Sequence, residues 1–256
     1  MKIDRNIAID GDNGKPIVLD FGYKISNIKK PVVIFAHGFK GFKDWGHFNM
    51  LMDHFIKNDF AFLKFNFSHN GGTVKDPIDF PDLEAFGNNN YSKELADLKT
   101  VLDWIENNDN EEIDSQQIYL IGHSRGGGIS ILGSKEDARI KKLVTWAAVS
   151  DLINRYSEQQ MAHWKKEGVL LIPNTRTNQE MPLYYQLVED VLNDTNRFDI
   201  EQVAKQVTIP HLVIHGTNDD VVHLDEAKKI NSWVKASDIH IIEGADHSFG
   251  GKHPFE

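Results

Sequence analysis

Ser124 lies at the centre of the sequence Gly-His-Ser-Arg-Gly, residues 122–126. This pattern is typical of a nucleophilic serine on a strained turn between a strand and a helix. Side chains two residues before and after the serine would collide at such a turn, and glycine avoids the collision. Chance alone produces the pattern in roughly one chain in ten of this length. The apolar, strand-like run at residues 118–121 therefore strengthens the interpretation.

A nucleophilic serine needs a base, and His247 is the candidate. It lies in the sequence Gly-Ala-Asp-His-Ser, residues 244–248, where the chain order serine, aspartate, histidine places the base. Neutral imidazole has a pKa near neutrality, so it can take the Ser124 proton and return it to a leaving group. The adjacent Asp246 cannot easily reach the correct ring nitrogen, so it is not the expected partner of the base.

The carboxylate that orients the base is predicted in the sequence His-Gly-Thr-Asn-Asp-Asp, residues 215–220. A carboxylate at this point could hold the imidazole and stabilise its protonated form. Asp219 is favoured, Asp220 is the competitor, and Asp151 is a further possibility. The alternative is a loop whose aspartates only bend the chain.

Acyl transfer also needs two donors aimed at the developing oxyanion. The main-chain N–H of Arg125, the residue after the nucleophile, is predicted to be one donor. The main-chain N–H of Phe39, in the sequence His-Gly-Phe-Lys-Gly at residues 37–41, is predicted to be the other. Main-chain groups would do this work, so the side chains of Phe39 and Arg125 need not be catalytic. His37 is expected to brace the turn, because the chemistry requires a single base.

Each of these four loops follows a short apolar run. The runs are unbroken rather than alternating, as expected for parallel strands that are buried on both faces. Stretches with helical spacing, such as residues 48–55 and 95–105, alternate with them and indicate βαβ units. In such a sheet the loops after the strands meet at one edge, where open α/β sheets place their sites. The predicted strands are residues 32–36, 60–63, 118–121, 143–147, 212–214 and 239–242.

Two segments outside this alternation are predicted from their composition. The first thirty residues indicate two antiparallel strands around a turn at residues 11–14. Residues 68–91 are rich in Asn, Gly, Pro and Asp, and we expect a long loop there.

Residues 151–200 contain more than a crossover needs. Two apolar runs, residues 169–172 and 181–185, flank a polar turn, with a helix-like stretch on each side. We predict a cap here, inserted into an α/β core formed by residues 1–150 and 201–256. Its apolar side chains could line a substrate pocket, but a small core of the cap itself is the favoured reading. These side chains are Met161, Trp164, Leu171, Met181, Tyr184 and Tyr185.

The composition excludes several classes of protein. The 256 residues include 28 Lys and Arg against 38 Asp and Glu, a formal net charge of −10. This balance argues against nucleic acid as the main partner and gives no reason to expect strongly acidic substrates. The absence of cysteine excludes disulfides, thiolate metal sites and a cysteine nucleophile. No secretion signal or apolar run of membrane-spanning length occurs, which predicts a cytoplasmic protein. The sequence leaves the oligomeric state open.

From His37 to His247 the sequence resembles the α/β-hydrolase superfamily. Within it, the sequence is most similar to small capped esterases, namely the cinnamoyl- and feruloyl-esterase-like enzymes and the monoacylglycerol-lipase-like group. The resemblance rests on residues 37–39 and 122–126 and on Asp219 and His247. The resemblance implies an α/β-hydrolase fold, with a mostly parallel central sheet, helices on both faces and an inserted cap. It also implies a catalytic triad of Ser124, Asp219 and His247, an oxyanion hole from Phe39 and Arg125, and no need for a cofactor or metal.

Two features depart from the family pattern. Many relatives carry glutamine or methionine after the nucleophile, where this sequence has Arg125. The sequence also ends nine residues after His247, where the fold usually adds a final helix. The expectation is either a truncated sequence or a sheet face that is covered in another way.

The predicted function is therefore that of a serine hydrolase that cleaves small-molecule carboxylic esters through an acyl-enzyme intermediate. Hydroxycinnamoyl and medium-chain acyl esters are the expected substrates. Thioesters or amides could be cleaved by the same residues, since the fold does not fix the function. Proline-directed peptidases of the superfamily usually carry a large N-terminal domain, for which the roughly thirty residues before the first motif strand are too few. A catalytically silent binding module is disfavoured, because such proteins typically lose a member of the triad.

Overall fold

The computed structural model describes residues 1–11 and 14–255. The turn predicted at residues 11–14 therefore lies partly outside the described residues. The strands are β1 (Lys2–Asp10), β2 (Pro16–Tyr23), β3 (Lys30–Ala36), β4 (Ala61–Asn66), β5 (Ile113–His123), β6 (Ile140–Trp146), β7 (Val169–Asn174), β8 (Gln179–Tyr184), β9 (His211–Gly216) and β10 (Ser237–Ile242). The helices are α1 (Phe48–Lys57), α2 (Leu83–Gly87), α3 (Tyr91–Glu106), α4 (Arg125–Glu136), α5 (Glu158–Glu167), α6 (Gln186–Asn193), α7 (Thr195–Phe198), α8 (Ile200–Ala204) and α9 (Leu224–Trp233).

The described residues form a central sheet of eight strands in the order β1-β2-β4-β3-β5-β6-β9-β10. β2 pairs antiparallel with β1 and with β4, and all other neighbouring strands are parallel. The predicted mostly parallel sheet with an antiparallel N-terminal edge is therefore confirmed. The order matters for the site, because the loops after β3, β5, β9 and β10 then open on one edge of the sheet.

Helices cover both faces of the sheet, as predicted. Alternate side chains of β3 show this, since Val33 and Phe35 pack with α1 while Val32 and Ile34 pack into the larger core on the opposite face. The unbroken apolar runs are explained by this arrangement, because every residue of a central strand meets a covered face.

Between β6 and β9 the chain forms α5, the antiparallel hairpin of β7 and β8, and then α6 to α8. The side chains of Trp164 and Met181 are fully buried. The Trp164 ring N–H donates a hydrogen bond of 2.7 Å to the carbonyl of Leu183, while Leu171 is exposed. Trp164 and Met181 belong to the main hydrophobic core, which is continuous with side chains of the central sheet, rather than to a separate small core of this segment.

One helix was not predicted. α2 lies inside residues 68–91, which were expected to be a loop throughout. Asp82 begins this helix by accepting a hydrogen bond of 2.9 Å from the N–H of Ala85, and the ring of Tyr184 packs on its last residue, Gly87. A five-residue helix with so little intrinsic stability depends on packing against a strand about a hundred residues away in sequence.

The chain after β10 does not return to the sheet in a helix within the described residues. It runs instead to the loop before α1, where the N–H of Gly46 donates a hydrogen bond of 3.2 Å to His253 Nδ1. Leu212 and Ile242, on β9 and β10, keep more than a third of their surface exposed. No described helix is long and apolar enough to cross a membrane.

A cluster of buried charges anchors the loop after β3 to the sheet. Asp20 is fully buried and accepts from Lys64 Nζ at 2.7 Å and from Lys43 Nζ at 2.8 Å. Both lysines also pair with Asp44. Burial raises the pKa of Asp20, but Lys64 and Lys43 outweigh that effect and lower it to about 2. The loop that carries Phe39 is thereby tied to β2 and β4.

We predict that Lys64→Met lowers the free energy of unfolding by about 3 kcal/mol, because it leaves buried carboxylates short of a cation. The matched control is Lys24→Met, which removes an exposed pair with Asp59 and should change stability by no more than about 0.5 kcal/mol. Urea unfolding measures both. Equal losses in the two variants would contradict the role assigned to the buried cluster.

Candidate active site

Ser124 occupies a strained turn between β5 and α4. Its φ of 55° and ψ of −122° lie in a region that side-chain-bearing residues rarely adopt. A Cβ atom at Gly122 would lie 2.3 Å from Ser130 Oγ, and one at Gly126 would lie 2.3 Å from the carbonyl oxygen of His37. Both glycines are therefore required for the turn to form.

Asp219 holds the ring of His247, with Oδ2 accepting from Nδ1 at 2.8 Å. Its other oxygen accepts from the N–H groups of Val221 and Val222 at 3.0 and 2.8 Å. Burial raises the pKa of Asp219, but the hydrogen bonds from His215, His247 and the Val222 N–H outweigh it and hold the pKa well below its usual range. The carboxylate is therefore charged and fixed in direction near neutral pH.

The other candidate carboxylates lie elsewhere. Asp220 is exposed. Asp151 accepts from the N–H groups of Ile153 and Asn154 at 2.9 and 2.7 Å, so it stabilises its own turn. Asp246 likewise accepts from N–H groups in the turn that follows it. Of the three carboxylates proposed to orient His247, namely Asp219, Asp220 and Asp151, the structure places only Asp219 against its ring.

Ser124 and His247 line the same cavity. Among the described residues, no hydrogen bond joins Ser124 Oγ to the His247 ring in this structure. The main-chain carbonyl of His247 accepts instead from His123 Nε2 at 3.0 Å, and the two imidazole rings lie 4.9 Å apart. Catalytic hydrogen bonds are often long without substrate and tighten in the reacting complex.

The loop after β3 approaches the nucleophile closely. A Cβ atom at Gly38 would lie 2.8 Å from Ser124 Cβ and 3.3 Å from Ser124 Oγ, so glycine is needed at this position. The peptide that carries the N–H of Phe39 is therefore beside the serine. His37 braces this loop, since its Nδ1 donates to the carbonyl of Gly38 at 2.9 Å and its Nε2 accepts from the N–H of Phe67 at 3.4 Å. Burial lowers the pKa of His37 to about 4, so the ring is neutral.

The sequence reasoning missed two supporting residues. His215 is fully buried, and its Nε2 lies 3.2 Å from Asp219 Oδ2 and 2.7 Å from the carbonyl of Val222. Glu94, on α3, accepts from Arg125 Nη2 at 2.6 Å. His215 opens the motif that contains Asp219, so its position was the available signal. Glu94 lies about thirty residues from the elbow in sequence, and only the fold pairs it with Arg125.

Two cavities meet at Ser124 and Phe39. The larger, of about 220 Å³, is also lined by His247, Trp45 and Phe48. The smaller cavity, of about 120 Å³, is also lined by Arg125, by residues of the segment after β6, such as Tyr156, and by Val221 and Val222 after β9. Neither cavity is lined by any of the six apolar side chains considered for the cap. An open cleft of about 490 Å³ lies against α8 and α9, but it does not include Ser124, Asp219 or His247 in its lining.

No group of three or more His, Asp or Glu side chains in the described part of the chain is arranged to hold a metal ion.

The sequence profile of the prolyl oligopeptidase family matches residues 82–254. The chain belongs to this family. The matched region contains Ser124, Asp219 and His247. It begins after the loop that carries Phe39, so the match does not include that candidate oxyanion donor.

Other comparisons agree on the fold of this family member. The chain is 23% identical to an Escherichia coli protein described as "Uncharacterized 31.7 kDa protein in traX-finO intergenic region", over 90% of this chain and 87% of the relative. The solved structure of Est1E from Butyrivibrio proteoclasticus aligns with a TM-score of 0.72 at 18% identity, over 96% of this chain and 92% of that one. The acetyl xylan esterase from Paenibacillus sp. R4 aligns with a TM-score of 0.67 at 16% identity, over 94% and 77%. The predicted α/β-hydrolase fold is confirmed, and the protein is a hydrolase of this type.

We predict that Asp219→Asn lowers kcat by about a thousandfold to ten-thousandfold, because the amide no longer orients His247 or stabilises its protonated form. Asp220→Asn is the matched control, one residue away and exposed, and should lower kcat less than about threefold. Steady-state hydrolysis of a p-nitrophenyl ester measures both. A larger loss of kcat in the Asp220 variant than in the Asp219 variant would mean that Asp220, and not Asp219, orients His247.

Proposed function

We propose that this protein hydrolyses small-molecule carboxylic esters through an acyl-enzyme intermediate on Ser124. The observation that carries the proposal is the convergence of an elbow serine and a histidine on one cavity, with the histidine held by Asp219 at 2.8 Å. All residue types that acyl transfer requires are present in the order and context that the family uses. This completeness disfavours a catalytically silent binding module.

In the proposed first step, His247 takes the Ser124 proton as Oγ attacks the ester carbonyl carbon. The carbonyl oxygen becomes an oxyanion and accepts hydrogen bonds from the N–H groups of Phe39 and Arg125. Collapse of this intermediate breaks the ester bond, and His247 returns the proton to the departing alcohol. Water then attacks the acyl-enzyme in the same way and releases the acid, which restores Ser124.

The position of His247 assigns the two cavities. The base must protonate the leaving group, so the alcohol has to depart on the side of the imidazole. His247 lines the larger cavity and is not part of the smaller one. We therefore place the alcohol in the larger cavity, of about 220 Å³, and the acyl group in the smaller one, of about 120 Å³.

Two observations bear on the acyl group. One of the solved structures that this chain resembles is described as "Ferulic Acid bound to Est1E", which favours hydroxycinnamoyl esters. The acyl-side cavity, at about 120 Å³, is well below the roughly 300–1,000 Å³ of pockets for drug-sized ligands. The volume favours an aliphatic acyl chain of short to medium length, and we propose this class over the aromatic one.

Amide hydrolysis is a second candidate, because the family is named after a peptidase. The same residues could cleave an amide or a thioester. The guanidinium of Arg125 in the wall of the acyl-side cavity is bonded to Glu94. Its remaining N–H donors would lose their hydrogen bonds to water against an apolar ring such as that of proline, which disfavours that ring. An ester is therefore the first proposal.

We predict that Ser124→Ala lowers hydrolysis of p-nitrophenyl butyrate at least about a thousandfold and abolishes labelling by a fluorophosphonate. Ser134→Ala, a serine later on α4 whose hydroxyl donates to the carbonyl of Ile131, is the control and should keep both properties. Retained turnover in the Ser124 variant would reject the nucleophile.

The same assay separates the substrate classes. The wild-type protein should cleave p-nitrophenyl butyrate faster than p-nitrophenyl ferulate, which has the same leaving group, and faster than the p-nitroanilides of the two acids. A preference for p-nitrophenyl ferulate would favour the aromatic class, and a preference for the anilides would favour an amidase.

A further inference from the structure

The side chain of Arg125 has no task in the mechanism above, which uses only its main-chain N–H. It is nevertheless held firmly, with 14% of the side chain exposed. Nη2 donates to Glu94 Oε1 at 2.6 Å. The guanidinium carbon lies 4.8 Å from the ring centre of Phe39 and 5.6 Å from that of Tyr91. A fixed cation thus lies in the wall of the acyl-side cavity, one residue from the nucleophile.

Most of the donors on this guanidinium remain available. Arginine carries five N–H donors. Among the described residues, one of these donors is bonded to Glu94, and the Tyr91 hydroxyl lies close enough to interact with another. Arg155, the second arginine in the same wall, is already engaged. Its Nη1 donates to both oxygens of Glu226 at 2.8 and 3.0 Å, and its Nη2 donates to the carbonyl of Val221 at 3.0 Å.

Four cationic side chains line the two cavities. Arg125 and Arg155 line the smaller cavity, and Lys40 and Arg176 line the larger one. Among the described residues, the acidic side chain that lines either cavity is that of Asp151, in the smaller one. Its carboxylate accepts hydrogen bonds from N–H groups of its own turn. The chain as a whole has a net charge of −10. Three of these cations are also ion-paired, Arg125 with Glu94, Arg155 with Glu226 and Arg176 with Asp79. The lining therefore offers an anion N–H donors rather than a large net positive charge.

We propose that Arg125 makes the acyl-side cavity a subsite for short acyl groups that end in a carboxylate. The substrates would then be monoesters of short dicarboxylic acids. The proposal rests on the ester hydrolysis proposed above. A planar guanidinium matches a carboxylate with two parallel hydrogen bonds, and the hydroxyl of Tyr156 in the same wall can donate a third.

An uncharged alkyl chain fits this cavity less well. It would cover the free N–H donors of Arg125 without replacing their hydrogen bonds to water, which is unfavourable. A carboxylate satisfies these donors, sharing the guanidinium with Glu94. The volume of about 120 Å³ limits the chain to a few carbon atoms.

The test compares three methyl esters of similar length in a pH-stat at pH 7. Monomethyl glutarate carries the carboxylate, methyl 4-carbamoylbutanoate carries a neutral amide in its place, and methyl pentanoate carries an alkyl end. We expect kcat/KM for monomethyl glutarate to exceed the other two at least about tenfold. Equal or faster cleavage of either uncharged ester would overturn the proposal.

Variants then test the residue. Arg125→Met should reduce the ratio of kcat/KM for monomethyl glutarate to that for methyl pentanoate at least about tenfold. Arg197→Met, which removes a surface arginine paired with Glu136, should leave this ratio unchanged. Glu94→Gln removes the competing carboxylate and should raise the ratio, by about threefold. A ratio that does not change in the Arg125 variant, or that falls in the Glu94 variant, would contradict the assignment.

The two levels of the proposal fail separately. If wild-type protein cleaves none of the esters and is not labelled by a fluorophosphonate, ester hydrolysis itself is wrong. If it is labelled and cleaves methyl pentanoate as well as monomethyl glutarate, only the carboxylate subsite is wrong. Circular dichroism checks that each variant folds. Should the Arg125 variant not fold, the wild-type ratio and the Glu94 variant still decide.

Discussion

The turn at Ser124 is the constraint on which the site depends. Holding a serine at a φ of 55° costs on the order of 1–3 kcal/mol and persists only where the surroundings enforce it. Here β5 precedes the turn, α4 follows it, and neighbouring main chain fills the space where side chains at Gly122 and Gly126 would stand. The strain points the hydroxyl toward the edge of the sheet, where the loops after β3, β9 and β10 can reach it. Every proposed catalytic role follows from that direction.

The second layer of the site is electrostatic. Asp219 receives hydrogen bonds from two main-chain N–H groups and from two histidines, so it stays charged despite its burial. In the proposed mechanism, a fixed negative charge at this point stabilises the imidazolium that forms on His247. On the other side of Ser124, a different buried pair, Arg125 and Glu94, places guanidinium N–H donors in the cavity wall. Ser124 thus lies between a charged carboxylate and a wall that carries N–H donors.

The chain as a whole is acidic, whereas four cationic side chains line the site. From composition alone, an acidic protein gives no reason to expect an acidic substrate, and that reasoning holds for the surface as a whole. Substrate recognition depends on the few groups within a Debye length in a cleft of low dielectric. Lys40, Arg125, Arg155 and Arg176 are spread over almost 140 residues of sequence, and folding collects them around Ser124.

The sequence by itself determined the sheet, the order of its motifs and the position of the elbow, because these follow from local properties. Burial on both faces gives unbroken apolar runs, and a strained turn demands glycines two residues on either side. The sequence favoured Asp219 over Asp220, but only the tertiary structure shows which of the two side chains meets His247. It also revealed α2, His215 and Glu94, and placed Trp164 and Met181 in the main hydrophobic core. These outcomes depend on contacts between distant segments, and the free energy of such contacts is not written in any single stretch of sequence.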